Sequence, residues 1–110
     1  MRRIGWPFMA DQPINSTHLV HNLDVAFEFY EVRTGPYGRK PIYMNNIAPS
    51  GTAEAIQNEF NIVLDAMKGE QGARKRTNAK RQQGILRDAW APTGPARKSF
   101  ESFLTTYAGP

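Results

Sequence analysis

The sequence predicts a helix-rich α/β chain that forms the closing end of a doubly wound domain. Three observations carry this reading. An apolar run near the start leads through a helical segment to a second run rich in β-formers, a strand–helix–strand order. About four helical segments then accompany only about two strands. Two strands cannot support an α/β layer by themselves, so the order reads as the end of a larger sheet whose earlier strands precede this sequence.

Residues 3–9 read as a short buried strand running into a loop. Pro13 suits the first turn of a helix, where its missing N–H costs nothing. Asp11 stands where a carboxylate can accept from the free amides of that turn. The helix is expected over 13–23, with Ile14, Leu19 and Leu23 among its apolar residues. Val25–Val32 is rich in β-branched and aromatic residues and reads as a strand. Residues 33–51 carry Gly35-Pro36, Gly38, Pro41, Asn45-Asn46 and Pro49 and read as a long exposed loop. Ser50 or Thr52 caps the next helix, with Glu54 in its first turn. There Ile56, Phe60, Val63, Leu64 and Met67 recur at helical spacing and form a core face. Gly69 and Gly72 break the chain before a mostly polar helix over 73–90. Ala91-Pro92-Thr93-Gly94-Pro95 is a linker, and a last helix over 95–108 carries Phe100, Phe103, Leu104 and Tyr107 on one side. Left exposed, that stripe would be sticky, so it calls for a docking surface. The expected division is 1–93 and 94–110.

Length and composition bound the function. A chain of 110 residues suffices for one small domain with a modest core. With 40% hydrophobic and 22% charged residues, pervasive disorder is excluded. The absence of cysteine removes disulfides and thiolate zinc sites and fits a reducing, cytoplasmic setting. No apolar run reaches the ~20 residues of a membrane span, and no apolar stretch of signal-peptide type follows the basic start. The net charge of +4 draws on Arg74, Lys75, Arg76, Lys80, Arg81 and Arg87. Such a stretch reads either as a solvated helix face or as a contact for nucleic acid; no aromatic residue is interleaved in it to stack bases.

The sharpest chemical feature is Asp11-Gln12 on a strand-to-helix loop. A carboxylate beside a carboxamide offers several acceptors and two donors, a good way to hold a ring of hydroxyls. In open α/β sheets, ligands bind beyond the carboxyl ends of the strands. The plainer reading, helix capping by Asp11 with Gln12 incidental, stands beside it. His18 and His21, three apart on a helix, could face one metal, but no Glu or further His nearby completes a ligand set. Gly35 and Gly38 do not form a phosphate loop, and no Ser–His–Asp order stands out.

The segment Trp6-Pro7-Phe8-Met9-Ala10-Asp11-Gln12-Pro13-Ile14-Asn15 resembles the end of the donor-binding signature of UDP-glycosyltransferases, which carry -P-x-x-x-D/E-Q-x-x-N- at this place. The similarity continues in order through nearly the whole chain: a helix, a strand ending in an acid, a variable loop, a helix opening like Thr52-Ala53-Glu54-Ala55-Ile56, a charged segment, and a terminal helix after a small-residue turn. The detail looks closest to fungal or microbial members. The resemblance implies a GT-B architecture, two Rossmann-like domains facing a cleft, of which this chain is the C-terminal part of the donor domain. It implies that Asp11 and Gln12 hydrogen-bond the hydroxyls of the transferred sugar, and that Trp6 and Pro7 shape the loop presenting them.

The same resemblance sets what is missing. The family's His-x-Gly-x-x-Ser-x-x-Glu segment, which holds uracil, ribose and diphosphate, does not occur here. Its catalytic His and partnering Asp belong to the N-terminal domain, and neither His18 nor His21 matches that position. No catalytic or metal-binding residue is therefore assigned. The implied reaction transfers a hexose from a UDP-sugar to a hydroxyl of a small lipophilic acceptor, such as a sterol or another hydroxylated metabolite, with inversion. It requires no resident cofactor, and it requires the N-terminal domain in cis or in trans, so the chain alone is expected not to turn over. The alternatives are a small basic nucleic-acid-binding module built on 74–87, and a non-catalytic subunit docking on a separate glycosyltransferase chain.

Overall fold

The computed structural model describes residues 4–5, 11–42 and 44–109. Strand β1 (Ile4–Gly5) pairs in parallel with β2 (Phe27–Glu28), with Ile4 opposite Phe27 and Gly5 opposite Glu28. Between them runs α1 (Gln12–Thr17), continued by a π-helical turn over His18–Asn22. After β2 come the short α2 (Gly35–Gly38), α3 (Ala53–Lys68), α4 (Glu70–Trp90) and α5 (Pro95–Tyr107). The α/β strand–helix–strand order is present. The chain divides into two compact units, Met1–Asn78 and Ala79–Pro110.

In the first unit, Phe29, Val63 and Met67 form the core, with Ile4, Phe27, Val32 and Phe60 packed against it. The Phe29 and Phe60 rings lie 4.3 Å apart, a tilted pair. Gly5 is required here: a Cβ on it would stand 2.6 Å from Oγ of the buried Ser16, so strand and helix touch backbone to side chain. Helix α3 is capped by Thr52, whose Oγ1 accepts from the Ala55 amide at 3.1 Å. The core face predicted for this helix is narrower than its spacing implied, because Leu64 is 43% exposed.

Three expectations change. The strand predicted over 25–32 is two residues long. The amides of Tyr30 and Glu31, which would continue a ladder, instead donate to the two carboxylate oxygens of Glu59 at 2.7 and 2.9 Å. The predicted loop 33–51 contains α2, entered through Gly35 at φ +76°. Only Gly69 interrupts the helices. Gly72 lies buried inside α4, where a Cβ would fall 2.6 Å from the Met67 carbonyl carbon, so its bare backbone permits the tight corner between α3 and α4.

In the second unit, Gly94 and Pro95 open α5 as the sequence predicts. Arg97 donates to Glu101 at 2.7 Å along the helix, and the Trp90 and Phe100 rings are 6.1 Å apart. Phe100, Phe103, Leu104 and Tyr107 all remain exposed. Among the described residues, no helix is long and apolar enough to cross a membrane.

Candidate functional site

The chain leaves β1 and re-enters described structure at Asp11, so the candidate residues sit on the connection from strand to helix. Asp11 is the N-cap of α1, and Gln12 is its first residue; both are exposed. The Asp11 carboxylate accepts from the Asn15 carboxamide at 2.9 Å, and its backbone carbonyl accepts from the Asn15 amide at 3.0 Å. Thr17 Oγ1 donates to the Pro13 carbonyl at 2.8 Å one turn on. The expected capping of free amides by the Asp11 side chain is absent. With φ −77° and ψ −11°, Asp11 is already helical, whereas a capping side chain needs the extended backbone that folds it over the next amides. The carboxylate instead points along the helix to Asn15. Trp6 and Pro7 lie outside the described residues.

Spacing made the Asp11–Asn15 pair findable, since residues four apart share a helix face. The carboxylate anchors around it were not legible in the same way. Glu31 accepts from Ser50 Oγ at 3.1 Å and from the Gly51 amide at 2.8 Å, fixing the approach to α3. Gly51 takes up φ +66° there. Glu28, buried at the end of β2, accepts from Arg33 at 2.6 Å. Arg33 lies over the Tyr30 ring, whose hydroxyl is 3.0 Å from His21 Nε2. Burial, with the Glu28 charge second, pushes the Tyr30 phenol up to about 12, so it stays protonated. His18 Nδ1 is 2.9 Å from the Asn22 carboxamide. Each histidine has its own neighbour, and among the described residues no group of three or more His, Cys, Asp or Glu converges to hold a metal.

The basic stretch is partly turned inward. Arg74 Nε and Lys75 Nζ donate to the Asp24 carboxylate at 2.7 and 2.5 Å, and the Asn78 carboxamide reaches the same residue at 3.1 and 3.2 Å. Lys75 is buried and stands over the Phe27 ring at 4.9 Å. Arg76 donates to the Met67 carbonyl at 3.2 Å. The hydrogen bonds from Arg74 and then Lys75 pull the Asp24 carboxyl down to about 2. Arg74 stays exposed, as the solvated-face reading expects, whereas Lys75 is buried; Arg74, Lys75 and Arg76 all bond to the chain's own acceptors, which does not favour the nucleic-acid reading. Asp24, at φ +51°, is the residue that the sequence did not single out.

No protein-family model and no solved structure matches the chain. Curated relatives do. An anthocyanidin 3-O-glucosyltransferase of Zea mays is 28% identical over 100 residues, covering 89% of this chain and 16% of that protein. A UDP-glycosyltransferase of Hericium erinaceus is 29% identical over 103 residues, covering 92% of this chain and 20% of that protein. The chain thus spans about a sixth to a fifth of the length of these relatives. Over about nine-tenths of its length, the chain is similar to a segment of these UDP-glycosyltransferases.

Proposed function

We propose that this chain is the sugar-recognising end of the donor domain of a UDP-glycosyltransferase. In this reading Asp11 and Gln12 hydrogen-bond the hydroxyls of a hexose carried on UDP, and Trp6 shapes the loop that presents them. The observation that supports it is the exposed Asp11-Gln12 pair on the turn after β1, with the Asp11 carboxylate held by Asn15 at 2.9 Å. A carboxylate accepts from vicinal hydroxyls, and a carboxamide both accepts and donates. A site built to pair hydroxyls rejects sugars that lack them. Fixing the ring also fixes the anomeric carbon for in-line attack by an acceptor hydroxyl. The new bond forms on the face opposite the departing UDP, and the acceptor's proton passes to a base.

That base and the groups that stabilise the diphosphate lie outside this sequence, in the N-terminal domain and the missing donor segment, supplied in cis or in trans. The acceptor is a small lipophilic hydroxylated molecule; a sterol is one such class, and an anthocyanidin is the one named for the maize relatives. The exposed face of α5, with the Phe103 and Tyr107 rings tilted against each other at 5.1 Å, fits a helix that docks on the rest of such an enzyme.

The test is a chimera in which these 110 residues replace the matching segment of the maize relative. UDP release from UDP-glucose is expected to persist and to fall about tenfold to about a hundredfold with Gln12→Ala or Asp11→Ala. An active chimera indifferent to both substitutions refutes the sugar-binding roles. UDP release by the 110-residue chain alone refutes the reading that it is inactive by itself.

A further inference from the structure

Besides the stripe on α5, the second unit exposes Ile85, Leu86 and Trp90 near the end of α4, at 53%, 63% and 53%. Leu86 and Trp90 stand four apart and Ile85 precedes Leu86, so the three share one face of the helix. Arg81 lies one turn before Ile85, on one border of that face. Arg87 lies three residues before Trp90 on the other border, with Lys80 two turns earlier on the same side. All three cations are exposed. Arg33, Arg74, Lys75 and Arg97 each have a carboxylate partner, whereas among the described residues Lys80, Arg81 and Arg87 have none. Residues 79–110 hold five Lys or Arg against Asp88 and Glu101, a net +3 of the chain's +4.

We infer that this face binds an anionic lipid surface. Ile85, Leu86 and Trp90 enter the boundary between headgroups and acyl chains, and Lys80, Arg81 and Arg87 meet the negative headgroups. A helix with apolar side chains on one face and cations along its borders lies in the plane of such an interface. Trp suits that level, because its ring is apolar and its N–H is polar. Charge selects among the occupants. A second copy of the chain would set cations against cations. A nucleic-acid backbone would take the cations but give Ile85 and Leu86 nothing to pack on. A lipid surface is negative at its headgroups and apolar beneath them, so it satisfies both sets of side chains. The inference is independent of the proposed sugar contacts, and it leaves the α5 stripe to the rest of the enzyme.

The full chain is cosedimented with vesicles of phosphatidylcholine and with vesicles of equal parts phosphatidylcholine and phosphatidylserine. Binding to the mixed vesicles is expected to be at least about tenfold tighter. Each cation contributes about fivefold at such a surface, so Arg81→Gln with Arg87→Gln weakens binding about 25-fold. Ile85→Gln with Leu86→Gln, at exposed positions where Gln keeps the helix, weakens it about tenfold. Phe103→Gln on α5 leaves it unchanged. Far-UV circular dichroism confirms that the variants compared are equally helical. Several results overturn the inference: no binding to the mixed vesicles, equal binding to both kinds, or loss of binding with Phe103→Gln but not with the Ile85 and Leu86 pair. A dimer in analytical ultracentrifugation that Leu86→Gln dissolves would overturn it by giving the face to a second copy. A DNA duplex bound more tightly than the vesicles would overturn it by giving the cations to nucleic acid.

Discussion

Replacing Asp24 by Asn removes one charge and little else. Asn tolerates the left-handed backbone that Asp24 adopts at φ +51°, and it keeps an acceptor for its neighbours. The loss is then electrostatic, and its size can be worked out. A carboxyl drawn from 3.8 to about 2 corresponds to about 2.4 kcal/mol at ~1.36 kcal/mol for each pKa unit. The side chain of Asp24 is 30% exposed and that of Arg74 57%, so solvent screening leaves about 1 kcal/mol. Lys75, only 10% exposed, loses its counter-ion in a buried setting, which adds about 1 kcal/mol. Near neutral pH, Asp24→Asn is therefore expected to destabilise by about 1–2 kcal/mol in urea unfolding followed by far-UV circular dichroism. The pH dependence gives the decisive readout. Because the folded pKa is depressed, the contribution is complete above about pH 4 and is lost as pH falls through about 2. The gap between the two proteins should close across that window. A gap that is the same at both ends, or a double-mutant cycle with Arg74→Gln showing no coupling, refutes the reasoning.

Other substitutions test the remaining contacts. Gly72→Ala should destabilise by about 1–3 kcal/mol, because its Cβ meets the backbone of Met67, while Gly84→Ala on the same helix meets nothing within 4 Å and should stabilise by up to about 1 kcal/mol; thermal melting separates them. Glu59→Gln keeps one acceptor for the Tyr30 and Glu31 amides in place of two charged ones, and should cost about 1–2 kcal/mol in urea unfolding. Thr52→Ala removes the cap of α3 and should cost about 1 kcal/mol.

The parts of the fold written in local pattern were legible. Thr52 and Glu54 mark the start of α3, Gly94-Pro95 marks the start of α5, and both appear where the sequence puts them. The strand over 25–32 was over-read, because β-propensity describes side chains suited to a sheet and says nothing of where the amides go. At Tyr30 and Glu31 they go to Glu59, nearly thirty residues away. Gly72 was misread as a break for a related reason. Its meaning lies in the approach of another backbone, which no local pattern encodes. The basic stretch was legible in part: Arg74, Lys80, Arg81 and Arg87 are exposed as a solvated face, but the carboxylate that faces Arg74 and Lys75 lies about fifty residues back. At the candidate site Asp11 was read as a cap of free amides; its bond to Asn15, four residues on, was not read, because it depends on Asp11 being helical and not extended.

These carboxylates divide by what they accept from. Glu31 and Glu59 accept backbone amides, Glu28 takes a guanidinium at the sheet edge, and Asp24 gathers Arg74, Lys75 and Asn78. Each of them ties chain to chain over a separation or burial that makes it structural. Asp11 differs: its partner is a neutral carboxamide one turn away on the same helix, and the pair is exposed. A single side-chain bond between residues four apart on an exposed helix is worth only about 0.5 kcal/mol to folding, and a carboxylate accepts at several further lone pairs. The arrangement sets the direction of the carboxylate without saturating it. That is what a hydroxyl-binding group needs, since orientation fixed in advance is not lost as entropy when the ligand arrives. Under the proposed sugar contact, the same argument makes Asn15 a positioning residue. Asn15→Ala in the active chimera should weaken donor binding while leaving the Gln12→Ala effect intact, and an Asn15→Ala enzyme with unchanged KM for UDP-glucose would separate Asp11 from the sugar.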